Sequence, residues 1–280
     1  MSDLLFSSTD LPELRYAALM LLLEVDPVRK SEAVMKLAHI NAENAVPIHP
    51  AAQFQVPRSV PGRPERPVLI SPKNVERRAM HTAEGRAATI HALTHIEFNA
   101  INLALDAIWR FTDMPPAYYL DWLKVAAEEA LHFSLLSGHL EKLGYAYGDF
   151  VAHDSLWEMA EKTAEDVLAR MALVPRTLEA RGLDASPLMR TKLAQAGDHE
   201  AAAIIDIILR DEIGHVAIGN HWYGVLCRTR GLEPIATYRQ LSRHYKAPVL
   251  RGPFNLSARR AAGFTELELA ELQQAGNNIV

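Results

Sequence analysis

Residues 128–132 read Glu-Glu-Ala-Leu-His and residues 211–215 read Asp-Glu-Ile-Gly-His, so an acidic pair followed by histidine occurs twice. The glutamates that precede the histidines by three positions are Glu129 and Glu212, and the histidines are His132 and His215. On an α-helix, side chains three residues apart lie on one face about one turn apart. One Glu-x-x-His motif is common by chance, but two in separate helical segments are much less so and indicate a common function.

A lone glutamate stands upstream of each motif at a matching distance. Glu97 precedes Glu129 by 32 residues, and Glu179 precedes Glu212 by 33 residues. The pattern predicts two helix pairs, each delivering one glutamate and one Glu-x-x-His, which is the ligand set of di-iron and di-manganese carboxylate bundles. The predicted metal ligands are therefore Glu97, Glu129, His132, Glu179, Glu212 and His215.

The neighbours of these residues at helical spacing are apolar, which predicts that the ligands are buried. Around Glu97 they are Ile90, Leu93, Ala100, Ile101, Ala104 and Ile108. A buried carboxylate needs a cation or a hydrogen-bond donor. Glu179 is the least well placed ligand, because Pro175 and Gly182 flank it, and Glu161 and Glu165 are alternatives to it.

Glu128 and Asp211 each precede a predicted ligand directly and lie about 100° around the helix from it. We expect each to accept the free ring N–H of a ligating histidine and so fix the ring's orientation. The alternative is that both are solvated surface acids. His91 and His95 could bind a metal by their own spacing, but Asn99 and Asn102 nearby favour a hydrogen-bond network.

Helical patterns extend over residues 81–111, 116–143, 154–181 and 187–229, with proline or glycine breaks at 113–116, 144–148 and 182–187. They predict an all-α antiparallel four-helix bundle over residues 81–230. Residues 1–80 are expected to form two helices divided at Asp26-Pro27, then a Pro-rich segment (47–72) that wraps the body and buries Val56, Val60, Val68, Leu69 and Ile70. A disordered linker is the alternative for this segment. Residues 231–280 are expected to be a tail with one short helix from Thr265, capped with Glu268.

Composition limits the function classes. The chain of 280 residues has 29 basic and 34 acidic side chains, so nucleic acid and anionic membranes are not favoured as main partners. The single Cys227 excludes an intrachain disulfide and a thiolate metal cluster and suits a reducing cytoplasm. The apolar run at 16–23 is too short for a membrane span and has no cleavage site after it, so we expect a cytoplasmic protein.

The motifs also resemble the ferritin-like superfamily. More narrowly, residues 94–97, 128–132, 178–184 and 211–215, with 61–64 (Pro-Gly-Arg-Pro) and 82–86 (Thr-Ala-Glu-Gly-Arg), are similar to a bacterial family known as domain of unknown function 455. This resemblance extends from the N-terminal helices to about residue 250. It implies a ferritin-like fold and a dinuclear metal site at the six residues already chosen, and it implies no substrate.

Oxygen-rich ligation with one imidazole per metal suits two iron ions, with manganese or a mixed pair as alternatives. A similar bundle occurs in the di-iron hydroxylase that modifies tRNA, so an oxygen-dependent hydroxylase or oxygenase is the favoured prediction. Its expected partners are dioxygen or peroxide, an unidentified small-molecule substrate and a separate reductase that supplies electrons. No Gly-x-Gly-x-x-Gly fingerprint of a nucleotide cofactor follows a strand. The alternatives are a ferroxidase or di-manganese peroxide-detoxifying protein, and a metal-free helical scaffold.

Two partners remain open at the level of sequence. A tRNA could bind a basic patch of Arg58, Arg63, Arg66, Lys73, Arg77 and Arg78, in which case affinity would fall steeply with salt. A homodimer through a bundle face is expected from the general frequency of such assemblies.

Overall fold

The computed structural model describes residues 12–56, 59–76 and 78–277. Within these ranges the regular elements are helices, and the isolated bridge between Leu69 and Ala152 belongs to no strand. The predicted all-α class is therefore confirmed. No helix in the described part of the chain has both the length and the apolar character that a bilayer span requires.

The chain folds as two compact units, Met1–Ser155 and Leu156–Val280, each with its own core. The division at residues 80 and 230 that composition suggests stays a prediction. In the first unit, the described helices are α1 (Leu14–Leu23), α2 (Pro27–Asn44), α3 (Ala83–Arg110) and α4 (Pro116–Lys142). Helices α3 and α4 pack along each other, while α1 packs on α3 and α2 on α4.

The ends of these helices follow from local chemistry. Asp26 accepts hydrogen bonds from the backbone N–H groups of Val28 and Arg29, and Pro27 occupies the first helical position, so the predicted boundary between α1 and α2 is confirmed. Thr82 caps α3 by accepting from the Gly85 N–H at 3.0 Å. Helices α3 and α4 lie within two residues of the predicted spans.

Arg15 of α1 closes the C-terminal end of α3. Its guanidinium is buried and donates to the carbonyls of Ile108 (3.3 Å) and Trp109 (2.7 Å), which lie in the last turn of α3 and have no partner within the helix. It also donates to three carbonyls of the Pro-rich segment, those of His49, Pro50 and Ala52. A cation at this end is favourable because the helix dipole is negative there.

The Pro-rich segment contains no helix in its described residues up to a short 3-10 turn at Pro72–Asn74. The expectation that its aliphatic side chains are buried was wrong for Val56, Val68 and Leu69, which are exposed, while Val60 and Ile70 are half-buried. The parts that are buried are Pro61, Gly62 and Pro67. The segment is therefore held by its backbone more than by apolar side chains.

Gly62 shows how this backbone attachment works. Its N–H donates to the Leu22 carbonyl at 2.8 Å, and a Cβ at this position would lie 2.1 Å from the Leu23 oxygen. The Gly62 carbonyl accepts from the buried ammonium of Lys30 at 3.1 Å, and the same ammonium donates to Asn102 Oδ1 of α3 at 2.5 Å. Only a residue without a side chain permits this approach to the end of α1.

The second unit contains α5 (Ser155–Lys162), α6 (Val167–Leu173), α7 (Ala180–Gln195), α8 (His199–Thr229), α9 (Pro234–His244), α10 (Leu256–Ala261) and α11 (Glu266–Asn277). The predicted helix over residues 154–181 was wrong, because a turn at 163–165 separates α5 from α6. The predicted break at 182–187 was also wrong, since α7 continues through Gly182 and Pro187. The break lies instead at Gly197, which has a φ of 83°.

A π-helical turn, Val174–Glu179, joins α6 to α7. Such turns leave backbone carbonyls without their regular partner. Here Pro175 has no N–H to donate, and the Thr177 hydroxyl donates to the Ala172 carbonyl at 2.7 Å. Gly219 of α8 allows close contact with this turn, because a Cβ there would lie 2.5 Å from the Pro175 Cβ.

The C-terminal residues are more helical than predicted. Beside α11, which is capped by Thr265 and Glu268 as expected, the region forms α9 and α10. A core cluster joins α7, α8, α10 and α11 through Ala180, Leu183, Val216, Ala258, Ala262, Phe264 and Leu269. The region after residue 231 is therefore an integral part of the second unit.

We predict that Gly219→Ala lowers the free energy of unfolding by about 1–3 kcal/mol, because the added methyl overlaps Pro175 in a packed contact. Gly214→Ala is the matched control on the same helix, since nothing lies within 4 Å of the added carbon. There the better helix propensity of alanine is expected to raise stability by up to ~1 kcal/mol. Urea unfolding of both variants tests this, and a Gly219→Ala protein as stable as the control would contradict the close contact.

Candidate metal centre

Helices α3 and α4 bring three predicted ligands together in the first unit. Glu97 lies midway along α3, and Glu129 and His132 lie one turn apart on α4, which packs against it. All three side chains are buried, with 3% of Glu97 and none of Glu129 or His132 exposed. One ligand atom from each lies within 4.8 Å of the others, so the group could hold a metal ion.

The three side chains are in contact in the structure. His132 Nδ1 donates to Glu129 Oε2 at 3.1 Å and lies 3.5 Å from Glu97 Oε2. Burial and the neighbouring Glu129 carboxylate raise the pKa of Glu97 to about 8. Burial favours the neutral imidazole, but the bonds to Glu129 and Glu97 outweigh it and raise the pKa of His132. Protons therefore stabilise this cluster when no metal does so.

The donor set agrees with a divalent metal. Two carboxylates face one imidazole, so when both carboxylates are ionised, as metal binding requires, a protonated ring among the three residues would balance only one of their two negative charges. Buried charge of this kind is costly unless it is compensated. Carboxylate oxygen with one imidazole nitrogen is a donor set that iron and manganese accept.

The second unit contains the other Glu-x-x-His pair. Glu212 and His215 lie one turn apart on α8, and both are buried. His215 Nδ1 is 3.9 Å from Glu212 Oε2. Both motifs thus have the same internal arrangement, a carboxylate beside an imidazole on a buried helix face.

Glu179 is half-buried and ends the π-helical turn. The two alternatives considered for it do not suit a buried site, because Glu161 and Glu165 are exposed and Glu161 accepts a hydrogen bond from Trp157 Nε1. Among these three carboxylates, Glu179 is the one whose burial favours a ligand role, and that role stays a prediction.

The acids beside the predicted ligands, Glu128 and Asp211, have basic neighbours. Glu128 lies 3.8 Å from the ammonium of Lys124, one turn earlier on α4. Asp211 accepts from Arg210 at 2.8 and 2.9 Å, with only 11% of its side chain exposed. The predicted contacts of these acids with the histidine rings stay predictions.

His91 and His95 belong to a hydrogen-bond network, as predicted. His91 Nε2 accepts from the Gly148 N–H at 2.9 Å, and the His95 ring contacts the Tyr147 hydroxyl at 2.8 Å. Asn99 Nδ2 lies 3.0 Å from His95 Nε2. Burial lowers the pKa of both histidines to about 4. The sequence signalled this network through Asn99, but nothing in the pattern indicated Tyr147.

A cavity of about 320 Å³ adjoins this network, and sequence reasoning did not anticipate it. The Pro-rich segment forms one side and α3 with Tyr147 the other; the lining residues are Arg63, Pro64, Glu65, Pro67, Val68, Leu69, His95, Phe98, Asn99 and Tyr147. The segment that composition marked as a wrap therefore lies over α3 in the first unit.

The basic patch considered for tRNA is only partly described, because Arg58 and Arg77 lie outside the described residues. Arg63 is paired with Asp154 at 2.6 Å, and Arg78 lies 2.9 Å from Glu76 and 3.2 Å from Glu84. Two of its cations are thus locally neutralised, which weakens the electrostatic argument for a nucleic acid.

Comparison with known proteins gives a family match that includes both Glu-x-x-His motifs. Residues 23–270 match the family described as "Protein of unknown function (DUF455)". The chain belongs to this family. A relative from Haemophilus influenzae (strain ATCC 51907 / DSM 11121 / KW20 / Rd), described as "Uncharacterized protein", is 55% identical over 213 residues, which cover 74% of each chain. No solved structure matches this DUF455 chain.

We predict that His91 makes folding pH-dependent. Its Nε2 must be unprotonated to accept from Gly148, and its pKa of about 4 lies below the ordinary 6.5. The unfolded chain therefore binds a proton first, so this contribution to stability is full above pH 6.5 and is lost as the pH falls toward 4. His91→Gln, which can still accept, should lose less stability between these two pH values than the parent in chemical unfolding.

Exposed His221 on α8 supplies the control for this experiment. His221→Gln should keep the parent's pH dependence. Equal pH dependence of the His91→Gln variant and the parent would contradict the assignment to His91.

Proposed function

We propose that this protein is a dinuclear non-haem metal oxidoreductase of the ferritin-like type, with iron as the metal and dioxygen-dependent oxidation of an organic molecule as the reaction. The observation that carries the proposal is the contact among Glu97, Glu129 and His132, three buried ligand-type side chains whose ligand atoms lie within 4.8 Å of each other. The recurrence of the buried Glu-x-x-His pair at Glu212 and His215 supports a second metal.

Each residue has a definite part in this proposal. Glu97, Glu129 and His132 bind metal from α3 and α4, while Glu212 and His215 bind from α8 and Glu179 from the end of the π-helical turn. Iron held by these residues would supply the reduction of dioxygen and the oxidation of a C–H bond. The apolar walls of α3 and α4 exclude water from Glu129 and His132, which are fully buried.

The protein's own contribution includes proton exchange at the ligands. When a metal binds, His132 must give up its Nδ1 proton or present its other ring nitrogen, and Glu97 must be ionised. Its pKa of about 8 in the metal-free cluster means that a large part of Glu97 is protonated at neutral pH. Metal binding is therefore expected to release protons to solvent.

Metal content tests the first part of the proposal. Protein supplied with iron and manganese should contain about two metal ions per chain, as expected for this ligand set. Glu129→Ala should lose most of the metal while remaining folded, because removing a carboxylate from beside Glu97 relieves repulsion in the metal-free protein. Elemental analysis with circular dichroism measures both quantities.

The matched control is Glu141→Ala, which removes an exposed glutamate from the same helix. It should retain the parent's metal content and the parent's rise in melting temperature on adding ferrous ions, which follows from binding linkage. Absence of metal from the folded parent would refute the proposal and leave a helical scaffold.

Oxygen uptake tests the second part. We predict that ferrous-loaded parent protein, given a chemical reductant in place of a reductase, consumes dioxygen faster than the folded Glu129→Ala/Glu212→Ala variant, while Glu141→Ala behaves as the parent. An oxygen electrode gives the rates. Iron that remains bound through repeated cycles agrees with an oxygenase, and release or mineralisation of ferric iron would instead identify a ferroxidase.

A further inference from the structure

The second unit contains a cavity of about 580 Å³ that the proposed metal chemistry does not use. Its walls come from the π-helical turn, α9 and the segment after it, α10 and α11. Apolar surface is supplied by Ile235, Leu250 and Leu272, and Arg176 and Arg259 line the same space. This volume is within the range of small-molecule sites.

The two arginines are buried against one aromatic ring. Arg176 is 6% exposed and Arg259 is fully buried, and their guanidinium carbons lie 4.8 and 5.2 Å from the centre of the Phe264 ring. Arg176 pairs with Glu268, and Arg259 makes a two-bond pair with Asp184. These partners hold both cations in place without occupying all of their donors.

Three polar atoms of the wall have no hydrogen-bond partner among the described residues. They are Arg176 Nε, Arg259 Nη1 and Ser242 Oγ, and all three residues line the cavity. A buried donor that makes no hydrogen bond costs free energy, more so when it is charged. Unmade donors on two buried guanidiniums beside one cavity indicate that an acceptor belongs there.

The mouth of the cavity adds positive charge. Arg243 and Lys246 line the cavity and are exposed, so we assign them to its mouth, and neither forms an ion pair with a carboxylate in the described part of the chain. Negative ligands are therefore attracted to the entrance, and apolar surface beyond it favours a ligand with an apolar body.

We propose that this cavity binds a small anionic amphiphile, with a carboxylate or phosphate head bound by Arg176, Arg259 and Ser242 and a short aliphatic body against Ile235, Leu250 and Leu272. Guanidinium groups suit both heads, since their N–H groups match the spacing of carboxylate and phosphate oxygens. The site is independent of the metal ligands and does not require a bound metal.

Calorimetric titration of the full-length protein with octanoate and with octyl phosphate tests the site and distinguishes the two heads. Saturable binding of one molecule per chain is expected for at least one of them, and binding of inorganic phosphate and of octanol should be much weaker. Failure of both amphiphiles to bind saturably would overturn the proposal, and so would octanol or inorganic phosphate binding as tightly as the better amphiphile.

Two variants test whether the ligand binds in this cavity. Arg243→Glu/Lys246→Glu reverses the charge of the mouth and should weaken binding about tenfold or more. Ala247→Trp fills space in the wall and should abolish binding. The charge-matched control, Arg181→Glu/Lys192→Glu, changes two exposed residues of α7 that do not line the cavity and should bind as the parent does. Unchanged binding in both cavity variants would place the ligand elsewhere and overturn the assignment.

Discussion

The constraint on which the first unit depends is the placement of two carboxylates and an imidazole inside an apolar helix interface. Glu97, Glu129 and His132 are almost completely removed from water, so their charges must be compensated by neighbouring groups, by protons or by a bound cation. Such a cluster has a defined geometry only if its helices cannot shift. The lengths, caps and packing of α3 and α4 are therefore part of the site as much as the three side chains.

The N-terminal helices contribute to this rigidity through polar contacts. Arg15 satisfies carbonyls in the last turn of α3, and Lys30 reaches Asn102 on the same helix while its ammonium lies 4.8 Å from the centre of the Phe98 ring. Both cations also hold the Pro-rich segment. Arg15 donates to carbonyls within residues 49–52, and Lys30 donates to the Gly62 carbonyl. The described residues of the Pro-rich segment form no helix before residue 72, so buried cations on α1 and α2 satisfy several of its backbone carbonyls and help to hold it in place.

Sequence reasoning identified what depends on local chemistry. The ends of α3, the cap at Asp26 and the capping box at Thr265 are read directly from residue types, and the burial of Glu97 follows from the apolar spacing around it. It failed where tertiary contacts decide. The pattern predicts a helix break at Pro187, yet α7 continues through it, and Leu183 and Leu193 on either side are fully buried. The aliphatic residues of the Pro-rich segment could not be placed, since that segment is fixed by backbone carbonyls that no pattern encodes.

Glu179 is the predicted ligand whose position sequence periodicity could predict least. A residue inserted by a π-helical turn rotates everything after it by roughly 100° relative to a regular helix, so a face assigned on a regular 3.6-residue repeat does not apply beyond Val174. The turn is held by tertiary structure, since it meets α8 at Gly219, one helical turn beyond His215. The contact between Pro175 and Gly219 therefore fixes the register of Glu179 against the helix that carries Glu212 and His215. The sequence alone shows three candidate ligands in this unit. Their arrangement depends on Gly219, a residue that has no side chain and cannot itself be a side-chain ligand.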